Sequence, residues 1–260
     1  IYNSGLPSHS LMKNSLSYWS LSSSPYYSFI FVLPFFAIYE VMELFLSRDE
    51  MVTLRNGADV LLRQFLAMFG DWGFYILSIS FIVIFLVVFL LQKKNWHITV
   101  VKSDYLLCML AEGIFWGFML YLLMRYVPAL LMFPSGKDLI RQVVLAIGAG
   151  LYEEFVFRVV AITAVSQLFK LIFMWKKNWR LVMSVITCAA LFSGFHFVGP
   201  YGDMFDVSVF LYRLFAGTLL GSLYVVRGFG IVAYTHMIYD FVVKIGFTVT
   251  VRDQLPVGLC

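Results

Sequence analysis

The stretch Tyr152-Glu153-Glu154-Phe155-Val156-Phe157-Arg158 decides how this sequence is read. It sets two adjacent carboxylates and an arginine inside a long apolar segment, roughly Leu139 to Phe169. A run that long and that apolar is expected to cross a bilayer as a helix, which takes about 20 residues. Charges at membrane depth are costly, so they face a protein interior or a wet cavity and serve a function there. On a helix, Glu154 and Arg158 share a face and are expected to pair. Glu153 is turned by about 100° from its neighbour and points toward whatever the other helices bring.

The rest of the chain has the same character. It is 61% hydrophobic and only 13% charged, whereas soluble domains are about 45–50% apolar and about 25% charged. The net charge of +4 does not indicate a nucleic-acid partner, because the basic residues cluster in short connections between apolar runs. Cys108 and Cys188 sit in apolar runs as small hydrophobes, and no zinc-finger or CxxC spacing occurs.

The sequence predicts an all-α fold, a polytopic transmembrane helix bundle of about seven to eight spans. The first span is expected near Tyr26–Leu46, with Pro34, Glu40 and Glu43 inside it. An amphipathic helix follows at Ala58–Phe69, interfacial or packed on the bundle. The second and third spans fall near Trp72–Leu91 and Tyr105–Leu131, the latter holding Glu112, before a break at Pro134-Ser135-Gly136. The fourth span carries the opening stretch; the fifth, sixth and seventh fall near Leu181–Val198, Asp206–Val226 and Ile231–Val251. The loops holding Lys93, Lys94, Lys102, Lys170, Lys176, Lys177, Arg180 and Arg227 share one side. The positive-inside rule makes that side cytoplasmic, together with the N-terminal arm, and puts the C-terminus outside.

Two histidines follow in apolar context. Phe192 precedes His196 by four residues, and His236 precedes Asp240 by four, so each pair shares a helix face. A carboxylate beside an imidazole fixes its tautomer, and an aromatic beside one excludes water. Each feature alone has an ordinary structural explanation: a span-internal ion pair, a packing histidine, a helix–helix hydrogen bond at Asp240. Glu40, Glu43 and Glu112 read as interfacial or interhelical residues, and Gly217 and Gly221 as a close helix contact. The functional case rests on three consecutive polar-bearing spans that could converge.

The ordered set resembles the CAAX protease and bacteriocin-processing (CPBP, or Abi) family. Its motifs EExxxR, FxxxH and HxxxN or HxxxD stand here as Glu153-Glu154 with Arg158, Phe192 with His196, and His236 with Asp240. The resemblance spans about Val143 to Phe241, including the glycine-rich run from Phe215 to Ile231. It implies an intramembrane endopeptidase whose catalytic core occupies 139–251. Before the core come a polar arm at 1–25 and N-terminal spans at 26–138, and after it a tail at 252–260.

The resemblance further implies that Glu153 activates water with His196 beside it, while His236 and Asp240 face the substrate carbonyl. Phe192 then shapes the substrate pocket. Asp240 stands where the prenyl endopeptidases have Asn. An ionised carboxylate cannot donate to an oxyanion, so Asp240 is assigned to orienting His236 or to a protonated state. No cofactor is expected to be obligatory; a divalent metal such as zinc would use Glu153, His196 and His236. Counting depth puts His196 and His236 near opposite ends of their spans. They meet Glu153 only if those helices are tilted, broken or start deep.

Other hydrolase designs fit less well: HExxH, GxSxG and a GxGD partner for Tyr239-Asp240 are all lacking. The expected partners are the lipid bilayer and a membrane-associated peptide or protein, with no nucleic acid, in a multi-pass protein of the plasma (inner) membrane. The alternative is a non-catalytic membrane scaffold, immunity factor or subunit of a larger membrane complex that keeps the fold. A proton-coupled transporter ranks below both, since no internal repeat is evident.

Overall fold

The computed structural model describes residues 17–45, 79–87, 90, 101–125, 139–198 and 202–254. Every regular element among the described residues is helical, in keeping with the all-α expectation. A short α1 (Tyr18–Ser22) leads into α2 (Pro25–Phe45), and helical residues recur at 79–87. Then come α3 (Ser103–Arg125) and a long motif-bearing helix. That helix is α-helical as α4 (Leu139–Gly148), π-helical over Ala149–Glu153 and Phe155–Ala161, and α-helical again as α5 (Ile162–Phe173). The chain ends in α6 (Lys177–Phe195), α7 (Val207–Arg227) and α8 (Phe229–Gln254).

Five of these stretches are long and apolar enough to cross a membrane: Pro25–Met42, Ser103–Met124, Ala146–Phe173, Lys177–Phe195 and Val207–Arg227. The apolar part of α8, Phe229–Val243, is shorter. Their outward faces carry large exposed apolar side chains, such as Leu107, Phe115 and Phe118 on α3 and Leu168 and Leu171 on α5. Water would not tolerate such a surface, whereas lipid covers it. The chain is an integral membrane protein. The first and the third to seventh expected spans fall on α2, α3, the motif helix, α6, α7 and α8. The Ala58–Phe69 helix, the Pro134–Gly136 break and the start of the second span lie outside the described residues.

Close backbone approach locks α8 into the centre. A Cβ on Gly113 of α3 would lie 2.8 Å from the Tyr234 side chain, and one on Gly150 of the π segment 2.7 Å from the Ala233 carbonyl oxygen. Only glycine allows α8 to be held that tightly on both sides. Gly217 and Gly221 do the same between α7 and α6, facing Ala189 and Val185, as their spacing suggested. Behind the motif helix stands an aromatic block. Phe29, Phe81, Phe155 and Phe229 meet at ring separations of 5.2 to 6.4 Å. Such pairs contribute about 0.5–1.5 kcal/mol each beyond burial.

Two features bring distant motifs to one depth. The α5–α6 hairpin runs antiparallel, with Glu154 lying 19 residues before Phe173 and His196 19 residues after Lys177. The two residues are therefore level. In addition, the first turn of α8 is buried. Gly228 turns at φ 80° against the Ser23 carbonyl, a conformation that favours glycine, and Phe229 packs directly on Phe155. Two turns later His236 reaches the motif carboxylates.

Candidate active site

The opening stretch sits where the helix widens. Residues on both sides of Glu154 are π-helical, a winding that is rare and recurs at functional sites. The α-helical rotation expected between Glu153 and Glu154 does not apply to this widened turn. Both carboxylates are buried, at 3% and 0% exposure, as is Arg158 at 2%. One flank of the turn, Tyr152 and Phe155, faces the aromatic core.

Glu154 and Arg158 pair as their spacing predicts, with Nε of Arg158 2.9 Å from Oε2. The second oxygen of Glu154 is engaged from across the bundle. His236 Nδ1 lies 2.7 Å from Oε1. A carboxylate oxygen accepts, so Nδ1 carries the proton and donates. The other face of that ring looks toward Asp240, with Nε2 3.7 Å from Oδ1. This is too long for a hydrogen bond but within ion-pair range. Glu153 also lies within electrostatic reach of His236.

His196 directly follows the last residue of α6. Its Nδ1 donates to the Phe192 carbonyl at 2.8 Å, which leaves Nε2 as the lone-pair nitrogen of the neutral ring. His196 and His236 are close enough to sense each other's charge. Phe192 stands at the centre of the group. Its ring meets His196 edge-on at 4.8 Å and His236 at 6.4 Å, and the Arg158 guanidinium lies over its face at 4.7 Å. The terminal nitrogens of Arg158 have no hydrogen-bond partner among the described residues, and the aromatic face offsets part of that cost.

The motif residues Glu154, Arg158, Phe192, His196, His236 and Asp240 are thus linked by contacts, with Glu153 in electrostatic reach of His236. Their donor set is arranged for hydrogen bonding. No group of three or more His, Cys, Asp or Glu among the described residues is disposed to hold a metal ion. His236 directs both ring nitrogens at carboxylates. The chemistry below is derived from the side chains alone.

Two polar contacts were not legible from the sequence. Glu40 of α2 accepts a hydrogen bond from Tyr152, the residue before Glu153, so a carboxylate read as merely interhelical buttresses the motif turn. Glu112 of α3 accepts from Arg227 through both oxygens, at 2.5 and 2.7 Å, and from the Tyr18 hydroxyl at 2.7 Å. Burial and the Glu112 carboxylate push the Tyr18 phenol up to about 12, so it stays a donor. Arg227 also donates to Ser22 at 2.8 Å, which ties α1 to the buried start of α8. The only sequence signal for either was a charge inside an apolar run, with no spacing to name its partner.

Residues 135–242 match the family described as type II CAAX prenyl endopeptidase Rce1-like. The match covers about two fifths of the chain and contains every motif residue above. It is consistent with a CPBP-family intramembrane protease. No curated protein and no solved structure matches the chain.

Proposed function

We propose that this chain, through its Rce1-like segment, is an intramembrane endopeptidase that uses Glu153 to activate water. The observation that carries the reading is the buried Arg158–Glu154–His236 chain with Glu153 beside it. Glu154 is committed on both oxygens, to Arg158 and to His236. It therefore acts as the fixed, orienting carboxylate, and Glu153 beside it takes the role of general base. Water attacks the scissile carbonyl carbon as Glu153 takes its proton. His196 holds the water through its lone-pair nitrogen. The developing oxyanion is met by the Nε2 side of His236, whose imidazolium form is stabilised by Glu154 behind it and Asp240 alongside. Collapse breaks the C–N bond, Glu153 returns the proton to the leaving amine, and the resulting carboxylic acid and amine exchange a proton to leave as carboxylate and ammonium.

The substrate is a membrane-associated peptide or protein, and a prenylated C-terminal tail is its first candidate. In support, a predominantly apolar groove of about 830 Å³ opens between α3 and α7, lined by Phe115, Trp116, Met119, Leu123 and Leu219. One wall includes Thr235, next to His236.

The test uses full-length protein in proteoliposomes and an internally quenched, prenylated CAAX peptide, alongside mass spectrometry of membrane and secreted peptides from cells. Wild type is expected to cleave, and Glu153→Ala to leave both the peptide and the cellular termini uncut. Cleavage by Glu153→Ala at the wild-type rate would refute the reading.

A further inference from the structure

His196 caps the C-terminal end of α6, held from that side by the Ser193 and Phe192 carbonyls. From the other side it is held by the segment leading into α7. The Asp203 N–H donates to the His196 carbonyl at 2.9 Å. The Asp203 carboxylate accepts from Arg213 of α7 at 2.6 Å. The Arg213 guanidinium lies over the ring of Phe197, the next residue after His196, at 5.4 Å. Gly202 presses on the same backbone, where a Cβ would lie 2.8 Å from the Phe197 carbonyl carbon and 2.9 Å from the Val198 nitrogen. Phe205 closes the group against Phe197 at 5.2 Å.

We infer that Arg213, Asp203 and Gly202 form a clamp that positions His196 for catalysis. Arg213 is a charged residue within an apolar span, and its side chain is only 15% exposed. An ion pair with an exposed aspartate contributes little to stability, so its worth lies in where it holds the turn. A misplacement of about 1 Å at a reacting group costs on the order of 100-fold in rate. The inference rests on the catalytic reading of His196. The charged and titratable groups that bear on this ring are Arg213 from α7, Asp203 from the preceding segment and His236 from α8.

The variants Arg213→Gln, Asp203→Asn and Gly202→Ala are compared with wild type and Glu153→Gln on the quenched prenylated peptide in proteoliposomes. Each clamp variant is expected to lose about tenfold or more in kcat, with KM held within about twofold. The His196 ring is followed in parallel by NMR of histidine-labelled protein in nanodiscs. Removing the cation raises its titration point in Arg213→Gln, and removing the carboxylate lowers it in Asp203→Asn. The opposed shifts report that both groups face the ring, and the loss in kcat at constant KM reports that they position it. Gly202→Ala keeps both charges and is expected to lower kcat without that opposed pair of shifts. Wild-type kcat and unmoved titrations in the clamp variants, with Glu153→Gln inactive, overturn the clamp and leave the catalytic reading intact. An active Glu153→Gln overturns the catalytic reading, and with it the clamp's stated purpose, whatever the titrations do.

Discussion

Glu154→Gln is the substitution that tests the site most directly. Glu154 forms an ion pair with Arg158 Nε through one oxygen and accepts from His236 Nδ1 on the other. Glutamine keeps the shape but has a single acceptor oxygen. Whichever way the amide is turned, its NH₂ faces a donor, either the guanidinium or the imidazole. The charge is lost too, at a position with 0% exposure beside an arginine with 2%. Breaking a buried pair by neutralising one member costs about 3–5 kcal/mol, because the remaining charge is stranded. His236 loses the partner that holds its ring and stabilises its imidazolium form, and a misoriented imidazole costs about 10²- to 10⁴-fold in kcat. Stability is read by detergent-denaturant titration in mixed micelles followed by circular dichroism, and kcat by cleavage of the quenched peptide in proteoliposomes. Glu154→Asp, which keeps two acceptor oxygens, should fall between the two. A glutamine variant within about 0.5 kcal/mol of wild type, the range of an ordinary surface change, and with unaltered kcat would refute the two-sided role of Glu154.

Gly150→Ala should destabilise the protein by about 1–3 kcal/mol and lower activity, since its Cβ would lie 2.4 Å from Met237 Cγ and 2.8 Å from the Met237 backbone nitrogen. The same titration checks it, and unchanged stability would mean that α8 does not ride this closely on the π segment. Glu40→Gln and Tyr152→Phe, which weaken the same hydrogen bond, are expected to cost about 1 kcal/mol each. Their kcat should fall more than KM rises, because the bond steadies the turn that bears Glu153. A double variant no worse than either single one would show that the two act as a pair.

Much of this architecture follows from local pattern. Apolar runs of bilayer length, punctuated by basic connections, dictated α2, α3, the motif helix and α6 to α8, because lipid forces each backbone to satisfy itself as a helix. The pairing of Glu154 with Arg158 was legible because one helix turn brings them together whatever surrounds it. Glu153, His196, His236 and Asp240 could be nominated because a charge or imidazole inside a span is costly unless it has a purpose. Which of them would touch was a different matter. Glu154 meets His236 across 82 residues of sequence, and that contact depends on how α8 packs against the motif helix. The π-helical winding was invisible because an extra residue per turn leaves the composition unchanged. The partners of Glu40, Glu112 and Arg213 were hidden for the same kind of reason. Sequence spacing reports a neighbour within one helix, but the neighbour of a buried charge on another helix is chosen by how close the backbones come. In this protein the glycines at 113, 150, 217 and 221 set that approach.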